Sequence, residues 1–224
     1  MLTDAIINVN GDSVQALDIM LLMTVITLLP TLVVMMTSFT RYVVSLSFLR
    51  TAMGTQQTPP NLVLVGMALI LTLFTMTPTL DAIKSAAYDP YVEGTITQEE
   101  FFDRAQDPLK DFMLNNTEIN SLELYCNMTG VEAPATIEEA RELDLPLRVV
   151  TPAFVTSELK HAFLIGFLLY IPFMLIDVIV SSTLMSMGMI MLPPSMISTP
   201  FKILLFLLLD GWQLLFSTLV QGIN

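Results

Sequence analysis

Four stretches of this chain, roughly 17–36, 62–80, 163–185 and 203–220, are apolar for about 20 residues each, the helix length that crosses a hydrocarbon layer. No other feature narrows the fold as far, because away from water only a helix satisfies the backbone of a single such segment. Each stretch is interrupted or bordered by a helix-bending or ionisable residue. Pro30 lies in the first, Pro78 near the end of the second, Pro172 and Asp177 in the third, and Asp210 in the fourth. Each proline removes a backbone donor and predicts a kink. These segments read as helices packed against other protein rather than as clean lipid-facing spans.

Composition supports a membrane-associated chain. It is 54% hydrophobic and only 13% charged, yet carries a formal net charge of -12. That acidity argues against nucleic acid, which requires clustered Lys and Arg. Cys126 is the only cysteine, so no intrachain disulfide forms. One cysteine and one histidine, His161, do not make a zinc-type site, and no cofactor is indicated. Residues 1–18 carry Asp4, Asp12 and Asp18 and no basic residue, unlike a signal peptide. Either the first apolar segment is the targeting element or an upstream signal has been removed.

Arg41 and Arg50 lie between the first two apolar segments, and no Lys or Arg precedes the first. The positive-inside rule then puts residues 37–61 in the cytoplasm and 81–150 outside. Residues 186–200 return inside without any charge to mark the side, and the carboxyl end lies outside. The 81–150 region holds fifteen acids and five bases, as a solvated segment would. Thr97-Gln98-Glu99-Glu100 and Thr136-Ile137-Glu138-Glu139 are capping boxes that open helices. Phe101, Phe102, Leu109, Phe112 and Met113 follow the first at helical spacing, and the first four are candidate subunit contacts. Asn115 and Asn127 match the glycosylation pattern, which occurs often by chance.

No catalytic grouping stands out. There is no Gly-rich phosphate loop, and no acid pair at helical spacing within an apolar segment. His161, beside Lys160 and three residues after Glu158, reads better as a packed or solvated helix residue than as an acid–base group. The ionisable residues in apolar surroundings are more informative: Glu158, Lys160, Asp177, Lys202 and Asp210. Lysines there either snorkel to an interface or join ion pairs that fix how helices or subunits meet. A proton relay is a third reading, with only two deep acids and no histidine between them to carry it.

The stretch 184–194 joins the last two apolar segments and holds four Met in seven residues. Gly188 and Pro193-Pro194 oppose a continuous helix there and predict a loop. If that loop is a hairpin tip, Lys202 and Asp177 stand at similar depth on its two arms. Lys202 should then meet Asp177, or an acid of a neighbouring subunit, with Glu158 first in line. Met187, Met189 and Met191 alternate, so an extended loop turns them to one side. Methionine is flexible and polarizable, so the cluster is either adaptable packing or a constriction able to part around an irregular object.

The run 151–160, Thr-Pro-Ala-Phe-Val-Thr-Ser-Glu-Leu-Lys, resembles the first signature of the flagellar export-apparatus P family, whose virulence counterpart is the R component of type III secretion. Pro172–Asp177, Leu184–Pro194, Pro200-Phe201-Lys202 and Asp210–Leu215 resemble the second signature. Met35–Arg41 and Pro59-Pro60-Asn61 resemble the same family, and the likeness is weakest across 81–150. The resemblance implies an inner-membrane protein at the centre of the flagellar basal body, standing partly on the periplasmic side. It implies several copies, five by the family's pattern, assembled with the Q and R export proteins into a closed helical cone. Unfolded flagellar subunits would pass through its pore, narrowed by a methionine gasket that maps onto Met187, Met189, Ile190 and Met191. Ile190 interrupts the family's methionine run.

The chain is thus read as all-α, with membrane-associated helical hairpins and a polar, mostly helical insert. Residues 1–80 form an amino-terminal hairpin region, 81–150 an acidic periplasmic insert, and 151–224 a carboxyl-terminal hairpin with the Met-rich loop. The expected function is that of a non-enzymatic, pore-forming subunit of the export gate, with Glu158, Asp177, Lys202 and Asp210 in helix or subunit ion pairs. An autonomous small ion or solute channel is the alternative from another class. A membrane-embedded hydrolase is a third, with no nucleophile–base pair to support it.

Overall fold

The structure is a computed structural model that describes residues 6–9, 12–189 and 191–223; Asp4 and Ile190 lie outside these. Two short antiparallel strands, β1 (Ile6–Val9) and β2 (Asp12–Gln15), pair with Val9 opposite Asp12. Every other regular element described is helical, in accord with an all-α body. They are α1 (Ala16–Met36), α2 (Phe39–Ala52), α3 (Asn61–Ile83), α4 (Asp89–Val92), α5 (Gln98–Asn115), α6 (Ile119–Thr129), α7 (Ile137–Glu142), α8 (Leu147–Ser186), α9 (Pro194–Leu208) and α10 (Gly211–Gln221).

Two continuous helical runs are long and apolar enough to cross a membrane: Asn61–Val92, which is α3 with its extension through α4, and α8. Two bent pairs meet the same test together, the end of α1 with α2 at 81° and α9 with α10 at 65°. The helices continue through Pro30, Pro78 and Pro172, where the sequence suggests kinks. The sharp bends fall at Thr37–Ser38 and Leu209–Asp210 instead, and each has a local cause. At the first, hydroxyls take over carbonyls the bend releases: Thr37 Oγ1 donates to Val33 O at 2.5 Å and Thr40 Oγ1 to Val34 O at 2.6 Å. At the second, Asp210 adopts the left-handed conformation (φ 48°), one of the few non-glycine residues that tolerates it. Gly211 follows because a Cβ there would lie 2.3 Å from the Phe206 ring.

A third irregularity lies where α3 meets α4. Pro90 offers no N–H and its ring crowds the carbonyl four residues back. The helix loosens to a π turn over Lys84–Tyr88 before α4.

Burial follows helical stripes into two cores. The first gathers Tyr42, Leu46 and Leu49 of α2, Leu64 and Ala68 of α3, Phe173 of α8, Phe206 of α9 and Leu219 of α10. The second gathers Met76 of α3, Phe112–Leu114 of α5, Leu122 and Cys126 of α6, and Val149, Ala153 and Phe154 of α8. Phe112 and Leu109, candidate subunit contacts by sequence, therefore face the chain's own core; Phe102 alone of the aromatic pair is exposed. The Thr97 box opens α5 as the sequence indicates, with reciprocal bonds between Thr97 and Glu100. At α7 the Thr136 hydroxyl accepts from Glu139 N–H, but Glu139 reaches back one residue further, to Ala135 N–H at 2.7 Å.

α8 belongs to both cores. Its 40 residues span about 60 Å, roughly twice a bilayer's hydrocarbon thickness. Its buried positions, from Val149 through Phe154, Glu158, Ala162 and Gly166 to Phe173, follow a stripe that winds around the helix over about 36 Å. Its opposite face leaves Phe163, Phe167, Leu168, Ile171, Leu175 and Val178 about half or more exposed.

Candidate functional site

Two cations are buried against α8, and each does the same two things. Arg41, in the first turn of α2, forks onto Glu158 of α8. Nε donates to Oε2 at 2.8 Å, Nη2 donates to Oε1, and the side chains are 3% and 1% exposed. Its remaining arm, Nη1, donates to Gly222 O at 2.5 Å, at the carboxyl end of α10. Lys202 of α9 donates to Asp177 Oδ2 of α8 at 2.6 Å and to Ala52 O, at the carboxyl end of α2, at 3.1 Å. Ser198 Oγ donates to the other Asp177 oxygen at 2.6 Å. Each cation thus neutralises an acid on α8 and caps the negative end of a second helix.

The planar guanidinium suits the first position, because its fork satisfies both carboxylate oxygens and still offers a donor to a carbonyl. The two acids are nineteen residues apart on α8, about 28 Å along its axis. The pairs therefore fasten the two ends of the α2–α8 contact.

Of the two partners that the sequence offers Lys202, the structure gives Asp177 in the same chain; Glu158 is occupied by Arg41. The sequence pattern counts Arg41 among the cytoplasm-marking charges. In the structure it is buried and neutralised, and residues 39–52 form a core helix rather than an exposed connection. The topology drawn from Arg41 and Arg50 loses half of its support. Asp210 makes no ion pair among the described residues; its contribution is the backbone bend before α10. Lys160 pairs at the surface with Glu118, 2.5 Å away, and His161 Nε2 lies 3.6 Å from the same carboxyl group. Among the described residues no group of His, Cys, Asp or Glu is placed to hold a metal.

The Met-rich loop closes α8 with a Schellman turn. Met189 N–H donates to Leu184 O and Gly188 N–H to Met185 O, both at 3.0 Å, with Gly188 at φ +74°. Only glycine takes that conformation without strain. The start of the loop is therefore a turn and not an extended strand, and alternation alone does not bring the three methionines to one side. All three are exposed nonetheless: Met187 67%, Met189 42% and Met191 98%. Ile190 lies outside the described residues. α9 restarts at Pro194, in the first helical position that suits proline. Beside the tip, Ile176, Val180, Leu184, Ile197 and Phe201 line an open apolar cleft of about 420 Å³.

Comparison with known proteins spans both buried ion pairs and the Met-rich loop. A sequence model of the FliP family matches residues 22–219. The flagellar biosynthetic protein FliP of Aquifex aeolicus (strain VF5) is 48% identical over 212 residues, 95% of this chain and 87% of that protein. The flagellar biosynthetic protein FliP of Bacillus subtilis (strain 168) is 47% identical over 208 residues, 93% of this chain and 92% of that one. The Caulobacter vibrioides protein of the same name is 49% identical over 201 residues, 90% and 74% of the two chains.

Proposed function

This chain belongs to the FliP family, and from that premise we propose that it is a pore-forming, non-enzymatic subunit of the flagellar protein export gate. In this reading several copies, with the Q and R export proteins, surround a conduit for unfolded flagellar subunits across the inner membrane. Residues 81–150 stand on the periplasmic side as the acidic insert.

One observation carries the proposal. The α8–α9 arms are tied together by a largely buried lysine, while their tip presents three exposed methionines that the chain itself does not cover. A rigid hairpin with a soft, apolar end suits a closure that must exclude ions yet part around many sequences. The apolar outer faces of α8 and α9, and a cleft of about 340 Å³ between α8, α9 and α10 lined by Leu168, Phe173 and Leu215, suit further subunits around the pore.

The test is conductance and membrane potential in cells carrying the complete apparatus. Replacing Met187, Met189 and Met191 by Gly should admit ions while the apparatus still assembles. Replacing Met20, Met23 and Met36 should not. Ion-tight, fully assembled loop variants would return the methionines to a packing role.

A further inference from the structure

The insert carries an exposed aromatic patch that neither core uses. Tyr88, the last residue of the π turn, is 54% exposed, and Tyr91 and Val92 of α4 are 44% and 66% exposed. A one-residue π insertion turns the downstream part of a helix by about 100° relative to an uninterrupted one. It separates the face of α4 from the stripe that α3 buries. The Thr97–Glu100 box fixes the start of α5 so that Phe101 meets Tyr91 at 5.2 Å, and Phe102, 60% exposed, stands edge-on to Phe101 at 5.4 Å. Around these rings the chain exposes five acids, Asp89, Glu93, Glu99, Glu100 and Asp103, against two bases, Lys84 and Arg104.

We infer that this patch is a docking surface for a basic, amphipathic segment of a different protein. Aromatic rings are the usual anchors of an interface, and their faces attract Lys and Arg. The surrounding acids steer such a segment and repel competitors. A second copy of this chain is a poor occupant. Five of its nine Lys and Arg, namely Arg41, Lys110, Arg141, Lys160 and Lys202, are already in ion pairs, and the other four are scattered along the chain, so it has no basic segment to offer this patch. An anionic lipid surface is repelled by the acids around the rings. The inference does not depend on the export reading.

The test uses the full chain in discs of zwitterionic lipid, with a benzophenone amino acid at position 102 or, as control, at exposed Leu124 on α6. The probe is a synthetic Leu/Lys amphipathic peptide, with its Leu/Glu counterpart as the charge control. The Leu/Lys peptide should crosslink from position 102 and not from 124. Tyr91→Ser should cut the yield by about fivefold. Asp89→Asn with Glu93→Gln should also lower it, and added salt should weaken it. Trp212 fluorescence shows that each variant is folded. Equal yields from both positions, equal yields with both peptides, crosslinks to a second copy, or crosslinks to lipid would each overturn the assignment.

Discussion

Arg41→Gln should be the most damaging single replacement of a charged residue in this chain, and more damaging than its mirror image Glu158→Gln. The Glu158 carboxylate has Arg41 as its only hydrogen-bond partner among the described residues and is 1% exposed. Removing the guanidinium strands that charge, which costs about 3–5 kcal/mol. Glu158→Gln leaves Arg41 with the Gly222 carbonyl, the His161 ring nitrogen at 3.2 Å and the new amide oxygen. Its cost should sit at the low end of the same range. The double variant should be milder than Arg41→Gln alone, because neither side chain is then charged. Lys160→Gln, which breaks the exposed Lys160–Glu118 pair, should cost about 0–1 kcal/mol. Trp212 is the single tryptophan and sits on α10, the helix whose end Arg41 holds, with Phe206 edge-on at 5.2 Å. Its fluorescence therefore reports thermal unfolding of the affected region. For a chain of this length Arg41→Gln should lower the midpoint by roughly 6–20 °C, and Lys160→Gln by less than about 4 °C. A double variant as unstable as Arg41→Gln would refute the stranded-charge reasoning, as would equal shifts for Arg41→Gln and Lys160→Gln.

Under the proposed function, Lys202→Met should lower the yield of particle assembled with the Q and R proteins more than Lys160→Met, and indistinguishable yields would deny the α8–α9 pin any part in assembly. Gly211→Ala drives a methyl group into the Phe206 ring, so Trp212 emission should shift and the midpoint should fall by the few degrees that overpacking by about 1–3 kcal/mol implies; an unchanged spectrum would show that the bend absorbs the methyl. The Glu100 carboxyl accepts the Thr97 N–H at 2.8 Å, which holds its pKa below the usual glutamate value. The support it gives α5 is complete above the unfolded pKa and disappears as pH falls through the lower folded value. Amide NMR shifts of Thr97 and Glu100 should follow that titration and lose it in Glu100→Gln.

The helical class and the approximate place of each apolar helix were legible because length and hydropathy act locally. The Thr97 box and the α8–α9 turn were legible for the same reason, since both are set by residues three or four apart. The β1–β2 hairpin had a signal too, Asn10-Gly11 between two strand-like runs, which the apolar segments overshadowed. What escaped was long range. Arg41 and Glu158 are 117 residues apart in sequence, and no period links them. The only hint was an arginine set in the hydroxyl-rich run Thr37–Thr40, the same hydroxyls that stabilise the first bend. Proline misled for a physical reason: Pro30, Pro78 and Pro172 all lie on exposed faces of their helices, where the ring meets no packed neighbour and the lost backbone bond does not turn the chain, whereas Asp210 ended α9 through a conformation that no periodicity records.

The length of α8 has a mechanical consequence. One unbroken rod of about 60 Å is bedded at its amino end in the core of the acidic insert and carries the methionine loop at its other end. A tilt of about 5° at the insert displaces the far tip by about 5 Å, roughly the width of a methionine side chain. The Arg41–Glu158 and Lys202–Asp177 pairs hold the rod at two points against such a tilt, so the position of the loop is set by how firmly α2 and α9 are bolted to α8.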